Sequence, residues 1–312
     1  MKREFSIMIP TFGRPLLLEH AIKSALSQDA GIDLEIIVVD NDHDSKFDSE
    51  KVVKKFSDKR LSYVRNPVNL GMCGNWNKCI ELANSEWLTI LHDDDQLHST
   101  YVATVLKRIQ KSPDMAIIGC GVREIADAAY ADEVLLDISK SGEFLHLNSL
   151  DVLRCCPYYP VGVAFNKQAA ERIEGFDASK YPSMDYDMWF RMLRTYRGGL
   201  VPARLAFYRK FENESARGDV LTGFLSQSYQ IREKIIAAYP APLAYFLRIY
   251  SNRRIMADKE NLERVWAAHV DMSLIAGISP GMAPGPVKKM VSTMVKAMVV
   301  MFSGRKSFKL SI

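Results

Sequence analysis

Short apolar segments alternate with amphipathic segments through the first 120 residues of the chain. Phe5–Pro10 and Glu35–Asp40 are apolar on both faces, whereas residues 15–28 place their apolar side chains near helical spacing. The same alternation predicts further helices near 48–58, 74–84 and 99–111, and further strands at Leu61–Arg65, Trp87–Leu91 and Met115–Gly119. Strands that are apolar on both faces are typical of a parallel sheet covered by helices on each side. We therefore predict a doubly wound α/β domain with a mostly parallel sheet.

The pattern loosens beyond residue 130. It predicts a loop and short helix over 142–153, a strand at Tyr159–Phe165, a helix from Asp185 and one or two strands over 200–211. Residues 219–275 are predicted to be mainly helical, with an interruption at Pro240 and Pro242. A linker rich in Pro and Gly at 279–286 precedes a last predicted helix at 287–302.

Composition excludes several classes of protein. The chain has 312 residues with 48% hydrophobic and 25% charged residues, as in ordinary globular proteins. A net charge of +4 gives no reason to expect nucleic-acid binding, and five irregularly spaced cysteines favour reduced thiols over a disulfide framework. Because the first apolar run is too short for a signal peptide and no long apolar window is free of charge, we expect a cytoplasmic protein without a transmembrane helix.

Polar residues follow each of the first four predicted strands. The four strand ends are Pro10–Arg14, Asp40–Asp42, Asn66–Gly71 and His92–Asp95. In open α/β sheets, ligands bind beyond the carboxyl ends of the strands. The sequence therefore predicts that these four polar segments face one crevice.

The fourth of these segments carries three adjacent carboxylates, Asp93, Asp94 and Asp95. Adjacent like charges repel, and a hard divalent cation such as Mg²⁺ or Mn²⁺ would compensate them. In an extended segment alternate residues share a face, so we expect Asp93 and Asp95 to act together. The alternative is a solvated acidic turn that caps the helix starting near Ser99.

Several motifs, in order, resemble the family-two inverting glycosyltransferases with the GT-A fold. They are Ile9–Pro15, Ile37–Asn41, Asn69–Gly71 with Asn75 and Ala83, Leu91–Asp95, Gly175–Asp177 and Asp185–Arg191. The resemblance covers roughly residues 4–215 and implies transfer of a sugar from a nucleoside-diphosphate sugar, UDP- or dTDP-linked, to a glycan or lipid-linked acceptor in the synthesis of bacterial surface polysaccharide.

The resemblance implies a nucleotide site and a metal site. The nucleotide-binding residues it implies are Pro10, Thr11, Arg14, Asp40, Asn69, Gly71, Asn75, Asp93 and Asp94. Asp40 would accept a hydrogen bond from the base, or else form a local turn. The 69–75 segment would border the nucleotide, or else be a loop with Gly74 or Asn75 as helix cap. Asp95, with Asp93, would bind Mn²⁺ or Mg²⁺.

The resemblance also implies that Asp185 is the general base that deprotonates the acceptor hydroxyl. Asp187 is the second candidate, and the alternative for Asp185 is a purely structural helix cap. The chain departs from the family at Met184, where relatives often carry Glu. It departs again at Phe211, where relatives carry His, so Arg209, Lys210 or Arg217 would neutralise the phosphates instead.

The domain organisation implied is a GT-A catalytic domain over 1–217, with a nucleotide-binding half over about 1–120 and an acceptor half over about 121–217. A helical C-terminal region follows over 218–312. Its basic and apolar segment at 287–309 would either contact an anionic membrane, at the cytoplasmic face of the inner membrane, or pack against protein, a homodimer included.

Two other functions stay open on the sequence alone. One is a nucleotidyltransferase, although the segment after the first strand is short and weakly basic for holding a triphosphate. The other is a catalytically silent binding protein on the same fold. His92 is predicted to be packed or solvated, with a catalytic role as the alternative. Trp76 and Trp189 are predicted to be core residues, with stacking on a sugar as the alternative.

Overall fold

The computed structural model describes residues 3–28, 31–125, 143–210, 217–267, 269–272 and 293. Phe211, the linker at 279–286 and, apart from residue 293, the predicted helix at 287–302 lie outside these residues.

Four parallel strands form the first part of the sheet. They are β1 (Phe5–Thr11), β2 (Leu34–Asp40), β3 (Leu61–Arg65) and β4 (Trp87–Ile90), in the order β3-β2-β1-β4. The helices between and after them are α1 (Pro15–Leu26), α2 (Ser49–Val53), α3 (Gly71–Leu82) and α4 (Tyr101–Lys111). Every residue of β1 and β2 is buried, as expected of central parallel strands. The predicted alternation is confirmed, although α2 is only five residues long.

The second part of the sheet mixes strand directions. Its strands are β5 (Gln96–Leu97), β6 (Met115–Ile125), β7 (Leu145–Leu147), β8 (Val163–Asn166) and β9 (Arg197–Arg209). The order continues as β4-β8-β6-β9-β5, with β7 also paired to β9. β8 runs antiparallel between β4 and β6, and β5 and β7 run antiparallel to β9. The sheet is therefore mostly parallel, as predicted, but β6 is not the direct neighbour of β4.

Helices cover both faces of the sheet. Successive side chains of a strand point to opposite faces, so Ile7 and Ile9 join one core with α1 and α4, whereas Met8 joins the other with α3. The second core also contains α7 (Met184–Thr195), which follows α5 (Ser149–Val152), α6 (Lys167–Arg172) and a 3-10 turn at Ala178–Lys180. α7 and α3 therefore lie on the same side of the sheet.

Two long helices follow β9. They are α8 (Gly218–Ile236) and α9 (Ala241–Trp266), separated near Pro240 as the sequence indicates. Phe224 of α8 stacks on Tyr186 of α7, with ring centroids 5.9 Å apart, and buried Arg232 donates to Asp258 and to the Arg154 carbonyl. Helix α8 thus packs onto α7, which carries Asp185, and α9 packs onto α8. Among the described residues, no helix is both long enough and apolar enough to cross a bilayer.

Candidate active site

The ends of β1, β2 and β4 meet at one edge of the sheet, as predicted. Thr11 lies opposite Asp40 in the β1–β2 register, and the Asn41 amide donates to the Thr11 carbonyl at 3.0 Å. The Thr11 hydroxyl donates to Asp93 Oδ2 at 2.7 Å, and Phe12 N approaches the same oxygen at 3.4 Å. Pro10 is buried in β1 just before this contact.

The acidic run forms a turn rather than an extended segment, because the Asp95 amide donates to the His92 carbonyl at 3.1 Å. The expectation that Asp93 and Asp95 share a face by strand alternation is therefore wrong. Asp93 faces Thr11, while Asp94 accepts from Arg14 at 2.5 Å and Asp95 Oδ1 accepts from the Arg209 amide at 2.9 Å.

The capping alternative for this run is not what the structure shows. Helix α4 begins at Tyr101, its N-cap is Thr100, and no side chain caps it. The aspartates are instead directed towards the ends of β1 and β9, where a ligand beyond the sheet would meet them.

The electrostatics of the run fit a cation. Burial and the neighbouring charge of Asp94 raise the pKa of Asp93 to about 7 and raise the pKa of Asp95 as well. Asp95 Oδ2 is buried without a hydrogen-bond partner, which is costly for a carboxylate oxygen. Ligand atoms of His92, Asp94 and Asp95 lie within 4.8 Å of one another. These three residues fit a divalent ion, and Asp93 as a ligand stays a prediction.

Asp40 is fully buried and both of its oxygens accept hydrogen bonds. Tyr63 OH donates to Oδ2 at 2.7 Å and the Asp42 amide donates to Oδ1 at 2.9 Å. Arg65 Nε donates in turn to Tyr63 OH at 3.0 Å. The contact with Asp42 is the local turn that the sequence left as the alternative, and base reading by Asp40 stays a prediction.

An asparagine network shapes the segment after β3. Asn66 Nδ2 donates to Asn75 Oδ1 at 2.8 Å, and Asn75 Nδ2 donates to the Val39 carbonyl at 3.1 Å. Asn69 Oδ1 accepts from Asn41 at 2.8 Å. Helix α3 begins at Gly71, so Gly74 and Asn75 lie inside the helix, and the alternative of a helix cap at either residue is wrong.

Asn69 and Gly71 lie exposed beside this network, whereas Asn75 is buried within it. Gly71 has φ +68° and open space around the position of a Cβ, so its backbone is accessible to a ligand. Asn69 and Gly71 can border a nucleotide directly, and Asn75 can act on one only through Asn66 and the β2 backbone.

Of the three basic residues proposed to neutralise phosphates, Arg209 lies at the acidic run. Its Nε donates to the Asp94 carbonyl at 3.0 Å. Lys210 pairs with Glu124, and Arg217 pairs with Asp219 at 2.7 Å. Arg14, 3.6 Å from Asp93 Oδ1 and 39% exposed, is a further cation beside the carboxylates.

Asp185 and Asp187 occupy different environments on α7. Asp187 is buried and accepts from Arg191 Nε at 2.6 Å, while Arg191 also donates to the carbonyls of Ile173 and Gly175. Asp185 is half-buried, and its Oδ1 accepts from the Tyr186 amide at 2.7 Å. Burial raises the pKa of Asp185 to about 6. This value suits a general base at neutral pH, and Asp187 is committed to an ion pair.

A cleft lies between His92 and α7. His92, which directly precedes the acidic run, and Asp185 both line it, so the structure brings His92 and the candidate base to one cavity. The other lining residues are Trp76, Ile90, Pro160, Val163, Phe165, Phe176 and Trp189. His92 stacks on Trp76 with centroids 4.9 Å apart and ring planes 15° from parallel.

The sequence favoured packing over a role in the site for His92, Trp76 and Trp189, and the structure places all three on the cleft. Two signals were available: His92 directly precedes the acidic run, and Trp189 lies one helical turn after Asp185. Tyr63 carried no comparable signal, because its partner Asp40 lies on another strand.

Comparisons with known proteins agree with this geometry. Residues 6–156 match the family model described as glycosyl transferase family 2. The chain is 28% identical over 278 residues, 81% of this chain and 85% of the relative, to the GalNAc(5)-diNAcBac-PP-undecaprenol beta-1,3-glucosyltransferase of Campylobacter jejuni.

Two solved structures share the fold. TarS 1-349 of S. aureus has a TM-score of 0.58 at 14% identity, covering 95% of this chain and 83% of TarS. The mannosyltransferase PcManGT of Pyrobaculum calidifontis, solved with GDP-Man and Mn²⁺, has a TM-score of 0.57 at 15% identity, covering 97% and 82%. At these identities the likeness concerns the fold, and the predicted GT-A architecture is confirmed.

Proposed function

The chain is a family-2 glycosyltransferase, and on that premise we propose that it transfers a sugar, with inversion, from a UDP- or dTDP-linked donor to a hydroxyl of a lipid-linked glycan. The observation that carries the proposal is the cleft lined by both His92 and Asp185. A transfer site needs a place for the leaving diphosphate and a base near the attacking hydroxyl, and this cleft has a candidate for each on its walls.

Asp185 would act as the general base. The acceptor hydroxyl gives its proton to the Asp185 carboxylate as its oxygen forms the bond to the anomeric carbon. The bond from that carbon to the diphosphate breaks, and the nucleoside diphosphate leaves with the electron pair. Two observations support this role for Asp185. The residue lines the cleft, and its pKa of about 6 makes it a stronger base than an ordinary Asp while leaving it ionised at neutral pH.

The acidic run would hold the diphosphate end of the donor. Asp94 and Asp95, with His92, are the residues that fit Mn²⁺ or Mg²⁺. When bound, such an ion supplies Lewis-acid stabilisation of the negative charge on the leaving group. Arg14 lies 2.5 Å from Asp94, close enough for its guanidinium to turn towards a phosphate. Thr11 holds Asp93 in place at the end of β1.

The acceptor assignment rests on the Campylobacter jejuni relative, whose name describes an acceptor linked through diphosphate to undecaprenol. A lipid-linked acceptor places the reaction at a membrane, in keeping with surface polysaccharide synthesis. The basic and apolar segment 287–309 would bind the anionic cytoplasmic face of the inner membrane. Deleting residues 287–312 should lower the fraction that co-sediments with anionic vesicles, and an unchanged fraction would show that this segment does not anchor the protein.

A thermal-shift screen tests the donor assignment. UDP, dTDP, GDP and their sugar conjugates are added with and without Mn²⁺, and we expect stabilisation by UDP or dTDP compounds that increases with Mn²⁺. A protein stabilised only by guanosine compounds would refute the base assignment.

Replacement of Asp185 by Asn tests catalysis. The variant should retain nucleotide binding and lose turnover, whereas Asp114→Asn, which changes a half-exposed acid paired with Arg197, should retain both. A catalytically silent protein would show no turnover in the wild type either.

A further inference from the structure

Trp189 carries a buried donor for which its packing gives no account. Its side chain is 2% exposed, and its Nε1 is buried without a hydrogen-bond partner. The ring packs against Phe165 and Phe176, with centroids 5.7 and 6.0 Å away. Phenylalanine would fill such a site without stranding an N–H, and an unpaired buried donor costs on the order of 1–3 kcal/mol. Unpaired buried groups of this kind call for a partner.

The cleft beside Trp189 has the composition of a small-molecule site. Most of its lining is apolar or aromatic, and its polar groups are His92, Asp185 and the Trp189 indole. Apolar walls with a few convergent polar groups are typical of ligand pockets. The nine residues of this lining form one small wall, which can meet a single ring of a sugar nucleotide rather than the whole molecule.

The position of the cleft selects which sugar ring it holds. His92 directly precedes the acidic run, and its Nδ1 lies 3.6 Å from Asp95 Oδ2. The proposed function places the donor diphosphate at this run, and the sugar that is transferred is bonded directly to that diphosphate. Asp185, on the α7 side, must lie near the anomeric carbon of the same ring. The transferred ring is thus the group that spans from the acidic run to α7.

We propose that the Trp189 indole N–H donates a hydrogen bond to a hydroxyl oxygen of the transferred sugar and so helps to set which sugar the enzyme uses. This inference rests on the proposed function. Trp189 is a specificity residue in this scheme, because it touches the substrate away from the bonds that form and break. Its ring also forms part of the apolar wall against which the sugar lies.

The test compares Trp189→Phe, which keeps a ring and removes the N–H, with the wild type. The matched control is Trp87→Phe, since Trp87 is 6% exposed in the core on the opposite face of the sheet. Titration calorimetry with Mn²⁺ measures the affinities of UDP, dTDP, UDP-glucose, UDP-galactose, UDP-N-acetylglucosamine and dTDP-glucose. We expect Trp189→Phe to weaken binding of the best sugar nucleotide by about tenfold. The affinity for its nucleoside diphosphate should not change, and Trp87→Phe should change neither.

Deoxy analogues of the best sugar nucleotide identify the hydroxyl. For the wild type, one of these analogues should bind about tenfold more weakly than the parent compound. The same analogue should bind Trp189→Phe as tightly as it binds the wild type. This series also decides the matter with the wild type alone if the variant does not fold, because equal binding of all the deoxy analogues would overturn the proposal.

The remaining outcomes separate the two proposals. Equal losses for the sugar nucleotide and its diphosphate, or no loss at all, would make Trp189 a packing residue and overturn the inference while leaving the proposed function intact. If the wild type binds neither the UDP- and dTDP-linked sugars nor UDP and dTDP, the donor assignment in the proposed function is itself refuted, and this inference with it.

Discussion

Replacement of Asp185 by Asn is expected to stabilise the fold while it abolishes transfer. Burial raises the pKa of Asp185 from an ordinary value of 3.8 to about 6. One pKa unit corresponds to about 1.4 kcal/mol, so ionising this carboxyl destabilises the folded state by at most about 3 kcal/mol. Asn has no charge to bury, and its amide oxygen can still accept from the Tyr186 amide.

The stability difference between the variant and the wild type depends on pH, and its sign depends on whether the folded or the unfolded chain binds the Asp185 proton more tightly. The folded protein holds the Asp185 proton more tightly than the unfolded chain, so the destabilisation is absent below pH ~3.8 and complete above about 6. Relative to the wild type, the variant should gain up to about 3 kcal/mol at pH 8 and roughly half of its pH 8 gain at pH 5. Carboxyls elsewhere titrate in both proteins and cancel in the difference.

Urea denaturation of both proteins at pH 5 and pH 8 measures these differences, and turnover is assayed on the same samples. Asp114→Asn controls for the loss of a carboxylate away from the cleft. A variant that is no more stable than the wild type at pH 8, or that gains the same amount at both pH values, would refute the claim that Asp185 is desolvated. A variant that retains turnover would refute its role as the base.

Three further outcomes are expected. In excess Mn²⁺, log kcat/KM should rise with a slope of one up to about pH 6 and then level off, since Asp185 must be ionised to accept a proton; a profile that is flat from pH 5 to 8 contradicts this. Asp95→Asn should remove the Mn²⁺-dependent part of the thermal shift given by UDP, because Asp95 Oδ2 is a buried oxygen without a hydrogen-bond partner. An undiminished Mn²⁺ effect would show that the metal binds elsewhere. Gly119→Ala should lower the free energy of unfolding by about 1–3 kcal/mol in urea denaturation, since its Cβ would lie 2.3 Å from a ring carbon of Tyr158; a neutral result would mean that Tyr158 can move aside.

The first half of the fold was predictable because its signals are local. The apolar runs of β1 and β2 and the amphipathic α1 need no information from distant residues. The place of β8 was not predictable in this way. Its insertion between β4 and β6 depends on pairing partners that lie about 45 to 80 residues away along the chain, and such long-range pairing leaves little trace in hydrophobic periodicity.

The candidate site likewise combines features that the sequence predicts with features that it does not. Placing Thr11 beside Asp93 followed from the rule for strand ends in parallel sheets. The strand alternation applied to Asp93 and Asp95 failed because that rule assumes an extended chain, and the hydrogen bond from the Asp95 amide to the His92 carbonyl makes a turn. The asparagine network around Asn75 was equally out of reach, since its members come from three separate segments.

The two acidic residues of α7 show how helix geometry resolves an ambiguity that sequence resemblance leaves open. Residues two apart on a helix point about 200° apart around its axis, so Asp185 and Asp187 cannot serve the same cavity. Asp187 lies four residues before Arg191 and forms the ion pair that this spacing favours. Asp185 shares its side of the helix with Trp189, and both line the cleft. The Arg at i+4 thus marks the acid held in an ion pair, and the Trp at i+4 marks the acid that faces the cleft. This distinction can be read from residues 185–191 alone.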